Sequence, residues 1–587
     1  MRLFSFNRKR HSSNRTIKTP ILLIIVAMLL LAATPLLAQE VTGRIEGSVT
    51  DEAKAILPGA KVTATHTATN TVYTATTSAN GKFAIPSARL GLYSVAVEAA
   101  NFQRTLVKDV RVEVGQTASL NITMQVGGVQ AEVIVNASDV QELVNTTNAE
   151  LSTVVDERRV QELPLNGRNA SHLVFNEAGV YFERSPDGQG NKLLVHGQRH
   201  SSVNISLDGI DTQDNLIRTS TIMLDQPLLP LSAENVQEFK VVTGISSAEY
   251  SRGGVQISAV TRSGTNNYNG SLFWFHRNTV FNANTFFNNG AGVEKPKLIR
   301  NQFGGRIGGP IFKDKTFFFF GYEQQRQSRG IAVNRLVYTA EARQGIFRYL
   351  DNVTNTPENV AANPGLIRSV NLLECGANVQ ATIGQDCVDD RFNAANPTSL
   401  DPFISGTVFP TIPLPNNNVI GDGLNTGGYR FNAASLLYQH LPSFRLDHKF
   451  NENHSFYGTI NYTDREIDGD FINNREPRFP DLGPLGARVT HSRGFGAGLR
   501  SSFTPTVFNE FRFGFLGGQN AFQRKQPYGT PFTLNLNTIS DPYEPGGGDS
   551  VRDNATLHIR DSITWVTGNH QLKFGGEFRH RYVDNYS

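Results

Sequence analysis

The chain has 587 residues, more than one hydrophobic core usually organises, and this length predicts several domains. Charged residues make up 18% and aromatic residues 10%, and Phe (38) far outnumbers Met (4) and Trp (2) beside 53 Gly, a composition that favours strands. The formal net charge of +3 excludes a strong global field, so no nucleic-acid partner is expected.

The first 38 residues have the features of a secretory signal peptide. Basic residues from Arg2 to Lys18 precede an apolar run from Ile21 to Ala33, and the residues that follow place the expected cleavage near Ala38. The alternative, an uncleaved membrane anchor, is less favoured because a spanning helix needs roughly 20 apolar residues. An exported chain without such a helix is either soluble outside the cytoplasm or a β-barrel in an outer membrane.

Residues 42–126 alternate between β-branched runs and turn residues, as a small β-sandwich does. Turn residues such as Asn80 and Gly81 separate runs such as KVTATHTAT and GLYSVAVEA at short intervals. The steps Gly-x-Val-x-Asp, Pro-Gly-Ala and Asn-Gly-x-Phe in this stretch resemble those of the carboxypeptidase regulatory-like domain, a transthyretin-like sandwich. The resemblance implies a carbohydrate-binding-like fold with the capacity for glycan contact.

Residues 127–150 form a linker with an apolar, β-branched segment that has no obvious partner in either neighbouring domain. A short strand of this kind is a candidate for pairing with the sheet edge of another protein. Its centre resembles the TonB box of TonB-dependent outer-membrane transporters, which implies a TonB-binding role for Glu132, Val133, Ile134, Val135, Asn136 and Ala137. The alternatives are a linker strand and the last strand of the sandwich.

Residues 151–265 change to a mixture of short helices and strands. Capping residues predict helices over Asp156–Leu163 and Ala233–Phe239. The segments NISLDGI and GGVQISAVTRSG predict strands.

Four ordered motifs in this stretch resemble the plug domain of TonB-dependent receptors. They are PLNGRN at Pro164–Asn169, HGQRHSSVNISLDGID at His196–Asp211, NVQEFKVVTGISSAEYSRGG at Asn235–Gly254 and AVTRSGTN at Ala259–Asn266. The resemblance implies a small α+β domain that closes a pore. It marks as plug-motif residues Asn166, Gly167, Arg168, His196, Gly197, Asp208, Gly209, Glu238, Gly253 and Gly254.

Residues 267–587 contain long strands with two different faces. In FRLDHKF, FNEFRFGF and LKFGGEFRHRY, apolar residues alternate with charged ones such as Arg445 and Asp447, which predicts a lipid side and a lumen side. Short turns, as at Thr504-Pro505, alternate with long polar stretches such as Ala340–Gln439, the asymmetry of an outer-membrane barrel.

Two features depart from this alternation. Asp561 shares the lipid face with Ile559 and Trp565, which indicates a register shift or a bulge in that strand. The run Phe317–Phe320 cannot direct every ring outward, which places it at an aromatic girdle or beneath the plug.

The segments HRNTVFNANTFFNN and FGGRIGGPIFKDKTFFFFGYE resemble the start of the barrel in the Oar-like subgroup of TonB-dependent transporters. We expect about nine strands between residues 268 and 584, whereas plugged barrels of this kind have about 22, so a C-terminally truncated chain with an unpaired strand edge is expected. The predicted fold is mainly β: the transthyretin-like sandwich, the small α+β plug domain and the first part of an antiparallel transmembrane β-barrel.

The sequence has no pattern that supports catalysis or a bound cofactor, so neither an enzyme nor a cofactor is expected. It lacks a phosphate-binding Gly-x-x-x-x-Gly-Lys-Ser/Thr loop and a Gly-x-Ser-x-Gly elbow. His196 and His200 are four residues apart, but their strand-like surroundings argue against a zinc site, and no metal is expected. Cys375 and Cys387 suit one disulfide in an oxidising compartment; the alternative is two unpaired thiols.

The resemblance implies a TonB-dependent receptor of a Gram-negative outer membrane that takes up a ligand too large or too scarce for porins. The implied partners are TonB with its inner-membrane energising complex, outer-membrane lipid and an unknown ligand, which is a glycan, a peptide or a chelate. The alternative is an outer-membrane structural or adhesion protein that binds polysaccharide or matrix and transports no solute.

Overall fold

The computed structural model describes residues 42–127, 132–140, 150–184, 191–197, 203–212, 229–230, 232–244, 255–290, 292–373, 399–504, 506–525, 539–540, 548–567 and 570–586. The predicted signal peptide, the predicted disulfide between Cys375 and Cys387, and the motif residues Gly253 and Gly254 lie outside the described residues. The described chain is mainly β and comprises an N-terminal sandwich, a central domain and a nine-stranded sheet.

The N-terminal sandwich packs two sheets around one apolar core. Its strands are Gly43–Asp51 (β1), Lys61–His66 (β2), Val72–Thr76 (β3), Lys82–Ala88 (β4), Gly91–Glu98 (β5), Arg104–Val112 (β6) and Thr117–Met124 (β7). One sheet has the order β4-β1-β7, and the other begins β3-β2-β5-β6. Successive side chains of a strand lie on opposite faces, and the inward ones, such as Ile45, Val62 and Val107, form the core. The predicted sandwich is confirmed.

The segment that resembles a TonB box is a further strand, Glu132–Asn136 (β8), and it has a partner. β8 pairs in parallel with β6, from Arg104 opposite Glu132 to Lys108 opposite Asn136, and is the last strand of the second sheet. A short helix, Ala137–Val140, follows and buries Ala137 in the sandwich core. The expectation that this segment lacks a partner in its neighbouring domains is therefore wrong, because the open edge of β6 accepts it.

The central domain has its own sheet and its own apolar core. Its strands are Ser152–Val155 (β9), Val180–Arg184 (β10), Asn191–Val195 (β11), Asn204–Leu207 (β12), Ile210–Asp211 (β13), Val236–Val242 (β14) and Gln256–Thr261 (β15). Five of them form a sheet with the order β13-β12-β15-β14-β9, and β10 and β11 form a separate hairpin. The strands predicted from NISLDGI and GGVQISAVTRSG are confirmed as β12 and β15. Buried residues such as Val160, Leu173, Phe239 and Ile257 form the core.

The two predicted helices of the central domain have different outcomes. Glu157–Glu162 is a helix, and Asp156 caps it by accepting a hydrogen bond from the Arg159 amide at 2.8 Å. The predicted helix over Ala233–Phe239 is wrong, because residues 233–235 form a turn and β14 begins at Val236. Since β14 lies between β15 and β9 and is buried on both faces, its apolar residues are best accommodated as a strand. One 3-10 helix spans Ala170–Asn176.

The C-terminal half of the chain forms an antiparallel sheet and a small hairpin. The hairpin consists of Ile346–Leu350 (β19) and Ile367–Asn371 (β20). The sheet consists of Asn269–Asn278 (β16), Leu298–Phe312 (β17), Thr316–Tyr338 (β18), Thr426–Lys449 (β21), His454–Asp468 (β22), Gly486–Thr504 (β23), Val507–Arg524 (β24), Ser550–Thr567 (β25) and His570–Tyr586 (β26). These strands are paired in chain order, and their number among the described residues, nine, confirms the prediction.

The two faces of the nine-stranded sheet differ as the sequence predicts. Phe511, Phe515 and Phe578 are exposed on the outer face, whereas Arg445 and Arg512 are buried on the inner face, which is turned toward the central domain. A strand with an apolar outer row and a polar inner row is typical of a sheet between lipid and an aqueous lumen.

The two departures from this alternation have simple outcomes. Asp561 does lie on the outer face, but the ladders of β25 with β24 and β26 run without a shift, so the expected register shift or bulge is wrong. The carboxylate is satisfied locally, because Asp561 Oδ1 accepts a hydrogen bond from Asn509 Nδ2 at 2.6 Å. In the phenylalanine run, Phe317 and Phe319 are buried and Phe320 is exposed.

Short turns join the strands at one end of the nine-stranded sheet, and long segments join them at the other. Residues 313–315 connect β17 to β18, whereas residues 339–425 connect β18 to β21. The predicted long stretch Ala340–Gln439 is therefore too long, because β21 begins at Thr426 and extends with β18 beyond the roughly ten residues that cross a membrane.

Short helical elements occur in these long segments. They are Thr279–Phe281, Phe286–Gly290, Ala342–Gln344, Pro357–Ala362, Pro364–Leu366, Ile404–Val408, Phe409–Thr411 and Phe471–Asn473. Within the described ranges, no helix has the length and hydropathy that a membrane-crossing helix needs.

Candidate functional site

The Asn-Gly-Arg motif attaches the central domain to the first strands of the nine-stranded sheet. Asn166 Oδ1 accepts hydrogen bonds from Arg277 Nη1 at 3.0 Å and from Arg300 Nη1 at 2.9 Å. Gln302 Nε2 donates to the Gly167 carbonyl at 3.0 Å. The turn that carries the motif has a positive φ at Gly167 (95°), a conformation that glycine adopts without steric cost. Two motif residues thus bind strands β16 and β17.

Arg168, the third motif residue, lies in a partly buried charge cluster. Its Nη2 is 2.6 Å from Glu234 Oε1, and Glu234 Oε2 is 3.4 Å from Arg306 Nε on β17. The Arg168 guanidinium lies 4.6 Å from the ring centroid of Phe273 and 4.4 Å from that of Phe275, both on β16. Cation–π contacts and a shared carboxylate therefore fix the central domain against the sheet.

The predicted Asp-Gly motif forms a tight turn between β12 and β13. Leu207 pairs with Ile210, so Asp208 and Gly209 are the two turn residues, and both have positive φ. Asp208 also satisfies the end of β15, because Oδ1 accepts from the Thr261 amide at 2.9 Å and Oδ2 from Thr261 Oγ1 at 2.7 Å. The turn therefore joins β12 and β13, the two strands that lie next to the nine-stranded sheet.

Arg445 on β21 connects this turn to the nine-stranded sheet. Its guanidinium forms a bidentate pair with Asp447 at 2.9 and 3.0 Å, donates to the Thr261 carbonyl at 2.8 Å and lies 3.6 Å from Asp208 Oδ1. Asp447 Oδ2 also accepts from Ser263 Oγ at 2.8 Å. Arg445 is only 5% exposed, so this network is shielded from solvent and depends on complete pairing.

Further polar contacts join the central domain to other strands of the sheet. Asp211 Oδ2 lies 2.9 Å from Arg579 Nη1 and 3.5 Å from Arg581 Nη2 on β26. Ser232 Oγ donates to Glu323 Oε2 on β18 at 2.7 Å. The central domain is thus held against the inner face of the sheet by charged and hydrogen-bonded side chains from β16 to β26.

Glu238 connects the central domain to the N-terminal sandwich. It lies on β14, is buried, and its Oε1 accepts a hydrogen bond from the Val114 amide at 2.6 Å. On the same strand, Lys240 Nζ donates to the Gly115 carbonyl at 2.9 Å and to Glu150 Oε2 at 2.5 Å. The loop between β6 and β7 is therefore bound directly to β14.

Burial, followed by the neighbouring Glu113 carboxylate, raises the pKa of Glu238 from 4.5 to about 8. Because the folded-state pKa lies above the ordinary value, the contribution of Glu238 to docking of the sandwich is fully present below about pH 4.5 and is lost as pH rises through about 8. By this linkage we expect hydrogen-exchange protection of residues 112–116, corrected for intrinsic rates, to fall about tenfold between about pH 7 and about pH 9. Glu238→Gln should abolish this pH dependence; an identical profile in the two proteins would rule out Glu238 as the titrating group.

The sandwich also contacts the nine-stranded sheet. Arg89 Nη2 is 3.6 Å from Asp447 Oδ1, and Asn70 Nδ2 donates to Asp314 Oδ1 at 3.0 Å. A small apolar cluster brings together residues of all three parts, namely Leu90, Val114, Val260 and Tyr457, with Val154 beside them. The sandwich is thus a third layer of the same assembly.

His196 and Gly197 are not part of these contacts. They form an exposed turn after β11, with positive φ at both residues. His200 lies outside the described residues. In the part of the chain that the structure describes, no group of three or more His, Cys, Asp or Glu side chains is arranged to hold a metal ion.

Several residues at this site were not singled out from the sequence. Glu234, Glu323 and Arg306 all pair across the boundary between the central domain and the sheet. The available signal was the alternation of the strands, which places polar residues on the inner face, where burial requires that they be paired.

Three family models match the chain in succession. The carboxypeptidase regulatory-like domain matches residues 44–125, the TonB-dependent receptor plug domain residues 145–256, and the outer membrane beta barrel domain residues 260–587.

Individual relatives are similar over parts of their length. The chain is 28% identical over 313 residues to the TonB-dependent transporter Oar of Myxococcus xanthus, a match that covers 51% of this chain and 28% of that protein. Among solved structures, it is similar to the outer membrane transporter YddB of Escherichia coli, with 11% identity, a TM-score of 0.44, and coverage of 74% of this chain and 48% of YddB. A variant of the ferric enterobactin receptor PfeA of Pseudomonas aeruginosa gives 10% identity, a TM-score of 0.42, and coverage of 75% and 50%. The chain thus spans about half of each solved transporter.

Proposed function

Because the chain belongs to the TonB-dependent receptor family of the outer membrane, we propose that it takes part in energy-coupled uptake of a large or scarce ligand. An outer membrane has no ATP, so the work must arrive mechanically. We propose that TonB, driven by its inner-membrane complex, supplies this work. Residues 1–38 would direct export, and the mature protein would then begin at Gln39 when its N-terminus is sequenced.

The observation that supports transport best is the chemistry of the boundary between the central domain and the sheet. The main apolar core of the central domain is formed by its own residues, whereas many of its contacts with the sheet are ion pairs such as Asp208 with Arg445 and Asp211 with Arg579. The apolar contacts with the sheet are small, as between Val260 and Tyr457. Water can solvate charged groups that separate, whereas it opposes the exposure of apolar ones. A boundary of this kind lets the central domain move while both surfaces remain soluble in a water-filled lumen.

We place the TonB contact on Glu132–Ala137, at strand β8. A β-branched strand at a sheet edge offers its backbone amides and carbonyls to an incoming strand, and TonB would bind by strand addition. Ala137 is buried in the sandwich core, so deleting the whole segment would also disturb the sandwich; a substitution at an exposed position is a cleaner probe.

Ile134→Pro tests this assignment. Ile134 is 55% exposed at the centre of β8, and proline removes a backbone donor and breaks the extended strand. We expect about tenfold weaker binding of the purified TonB C-terminal domain, the equivalent of losing one or two hydrogen bonds. The matched control, Ile134→Thr, keeps the donor and the strand preference and should bind like the unmodified protein. If Ile134→Pro binds equally well, the TonB contact lies elsewhere.

For the ligand we propose a glycan or a peptide, on the ground that the N-terminal sandwich matches the carboxypeptidase regulatory-like domain and its fold resembles carbohydrate-binding sandwiches. Growth on single glycans or peptides, with and without the gene, tests this proposal. If no such substrate distinguishes the two strains, a chelate or the non-transporting adhesion role is favoured instead.

A further inference from the structure

In the described part of the chain, strand β8 is held on the sandwich along one of its edges. The ladder with β6 runs over five residue pairs, from Arg104 with Glu132 to Lys108 with Asn136. The Arg104 Nη1 atom is 2.5 Å from Glu132 Oε1, which reinforces the start of the ladder. At its end, Ala137 is only 6% exposed in the sandwich core. The strand is therefore fixed at both ends.

The other edge of β8 is open. β8 is the last strand in the sheet order β3-β2-β5-β6-β8, and no described residue pairs with its outer side. Proteins usually protect such an edge with lysine, proline or a bulge. The sequence of β8, EVIVN, contains none of these residues, its ladder with β6 has no register shift, and its central side chain, Ile134, is largely exposed.

We propose that TonB adds its strand to this open edge while β8 remains paired with β6, so that TonB, β8 and the sandwich form one continuous sheet. This inference rests on the proposed function, which places the TonB contact on β8. The TonB surface that fits this edge is an open strand with an apolar residue that packs against Ile134 and a basic residue that pairs with Glu132.

The contacts favour addition over extraction. To extract β8, a partner must break the ladder with β6, separate Arg104 from Glu132 and withdraw Ala137 from the core. Addition to the open edge breaks none of these contacts and satisfies backbone groups that otherwise face water. Addition of a strand to the open edge therefore costs less free energy than extraction of β8.

This arrangement gives the sandwich a mechanical role. A pull on β8 is transmitted through the ladder to β6, and the loop after β6 is bound to β14 through the Val114 amide and the Gly115 carbonyl. Force applied at the strand edge thus reaches Glu238 and Lys240 in the central domain through the sandwich.

A reversible tether between β6 and β8 tests the proposal. Leu106 and Ile134 are opposite each other and lie on the outer face of the sheet, so Leu106→Cys with Ile134→Cys forms a cross-strand disulfide without entering the core. TonB C-terminal domain binding is measured with the whole chain in detergent, oxidised and reduced, and Ile134→Cys alone is the control for the lost side chain.

We expect the oxidised double variant to bind within about threefold of the reduced one, because β8 need not leave β6. Binding that is lost on oxidation and restored by reductant would overturn the open-edge model and leave the TonB contact on β8 intact. Absence of binding in both states and in the unmodified protein would overturn the proposed function itself.

Hydrogen exchange of the unmodified protein gives a second readout that needs no substitution. The amides of residues 104–108 should keep their protection when the TonB domain is added, and those of residues 132–136 should gain protection. Faster exchange at residues 104–108 would mean that β8 is extracted. A purified protein whose mass is that of a dimer, with residues 132–136 already protected, would assign the edge to a second copy and contradict the proposal.

Discussion

Replacing Arg445 by alanine should be among the most destabilising single substitutions in the chain. The Arg445 guanidinium is buried and pairs with Asp447 and Asp208, so its removal leaves two carboxylates without their main cationic partner. Breaking a buried pair by removing one partner costs about 3–5 kcal/mol. We expect the variant to unfold at a clearly lower concentration of guanidinium chloride, as measured by the fluorescence of Trp274 and Trp565. We also expect its central domain to be cleaved more easily by proteases.

A conservative substitution separates charge from geometry at this position. Arg445→Lys keeps the positive charge but cannot form the bidentate pair with Asp447, so its midpoint should lie between those of the unmodified protein and Arg445→Ala. An alanine variant that unfolds at the same midpoint as the unmodified protein would show that this network does not hold the central domain in place.

Glu234→Ala should loosen the contact of the central domain with β16 and β17. Glu234 accepts from Arg168 at 2.6 Å, lies 3.4 Å from Arg306 and accepts from Ser271 Oγ at 3.2 Å. Loss of this shared carboxylate should reduce the free energy that holds the central domain against the sheet by about 3 kcal/mol. This reduction corresponds to a roughly 100-fold larger population of molecules in which the central domain is detached from the sheet. The measurement is the rate at which a large, normally excluded antibiotic enters cells that produce the protein.

The matched control is a solvent-exposed ion pair within the central domain. Glu162 pairs with Arg158 at 2.8 Å on one helix, but the two side chains are 62% and 80% exposed. Because solvent-exposed pairs contribute little, Glu162→Ala should leave antibiotic entry unchanged. Equal entry rates for the Glu234 and Glu162 variants would remove Glu234 from the boundary.

Much of the architecture could be predicted from local patterns. The alternation in FNEFRFGF fixes which side chains share a face, because the period of a strand is two residues, and it correctly placed Phe511 outward and Arg512 inward. The Asp-Gly step at residues 208–209 likewise indicates a tight turn between two strands.

The parts that were wrong depend on contacts between distant residues. The sequence of β8 does not reveal that β6 offers it an open edge, and the residues 233–239 have helical signals that burial between two strands overrides. Asp561 looked like a break in register because its hydrogen bond from Asn509 is made across the ladder, where a single-strand pattern cannot show it.

The same limit applies to the candidate site. The inner face of β21 was predicted to carry Arg445 and Asp447, but their partners Asp208 and Ser263 lie in another domain. Glu238 was assigned to the plug motif, whereas its contact is with the sandwich. Charge and alternation predict that a residue faces inward, but only the packed structure identifies which residue it contacts.

The most direct test is to measure whether the outer face of the nine-stranded sheet contacts lipid or water. A fluorophore is attached to cysteines placed at Phe515 and Phe578 on that face and, as a control, at the exposed Ile56 of the sandwich. In outer-membrane vesicles, brominated lipid should quench the labels at Phe515 and Phe578, and aqueous iodide should quench only the label at Ile56. Iodide quenching at all three positions, without quenching by lipid, would contradict a membrane-spanning sheet and the transport function built on it.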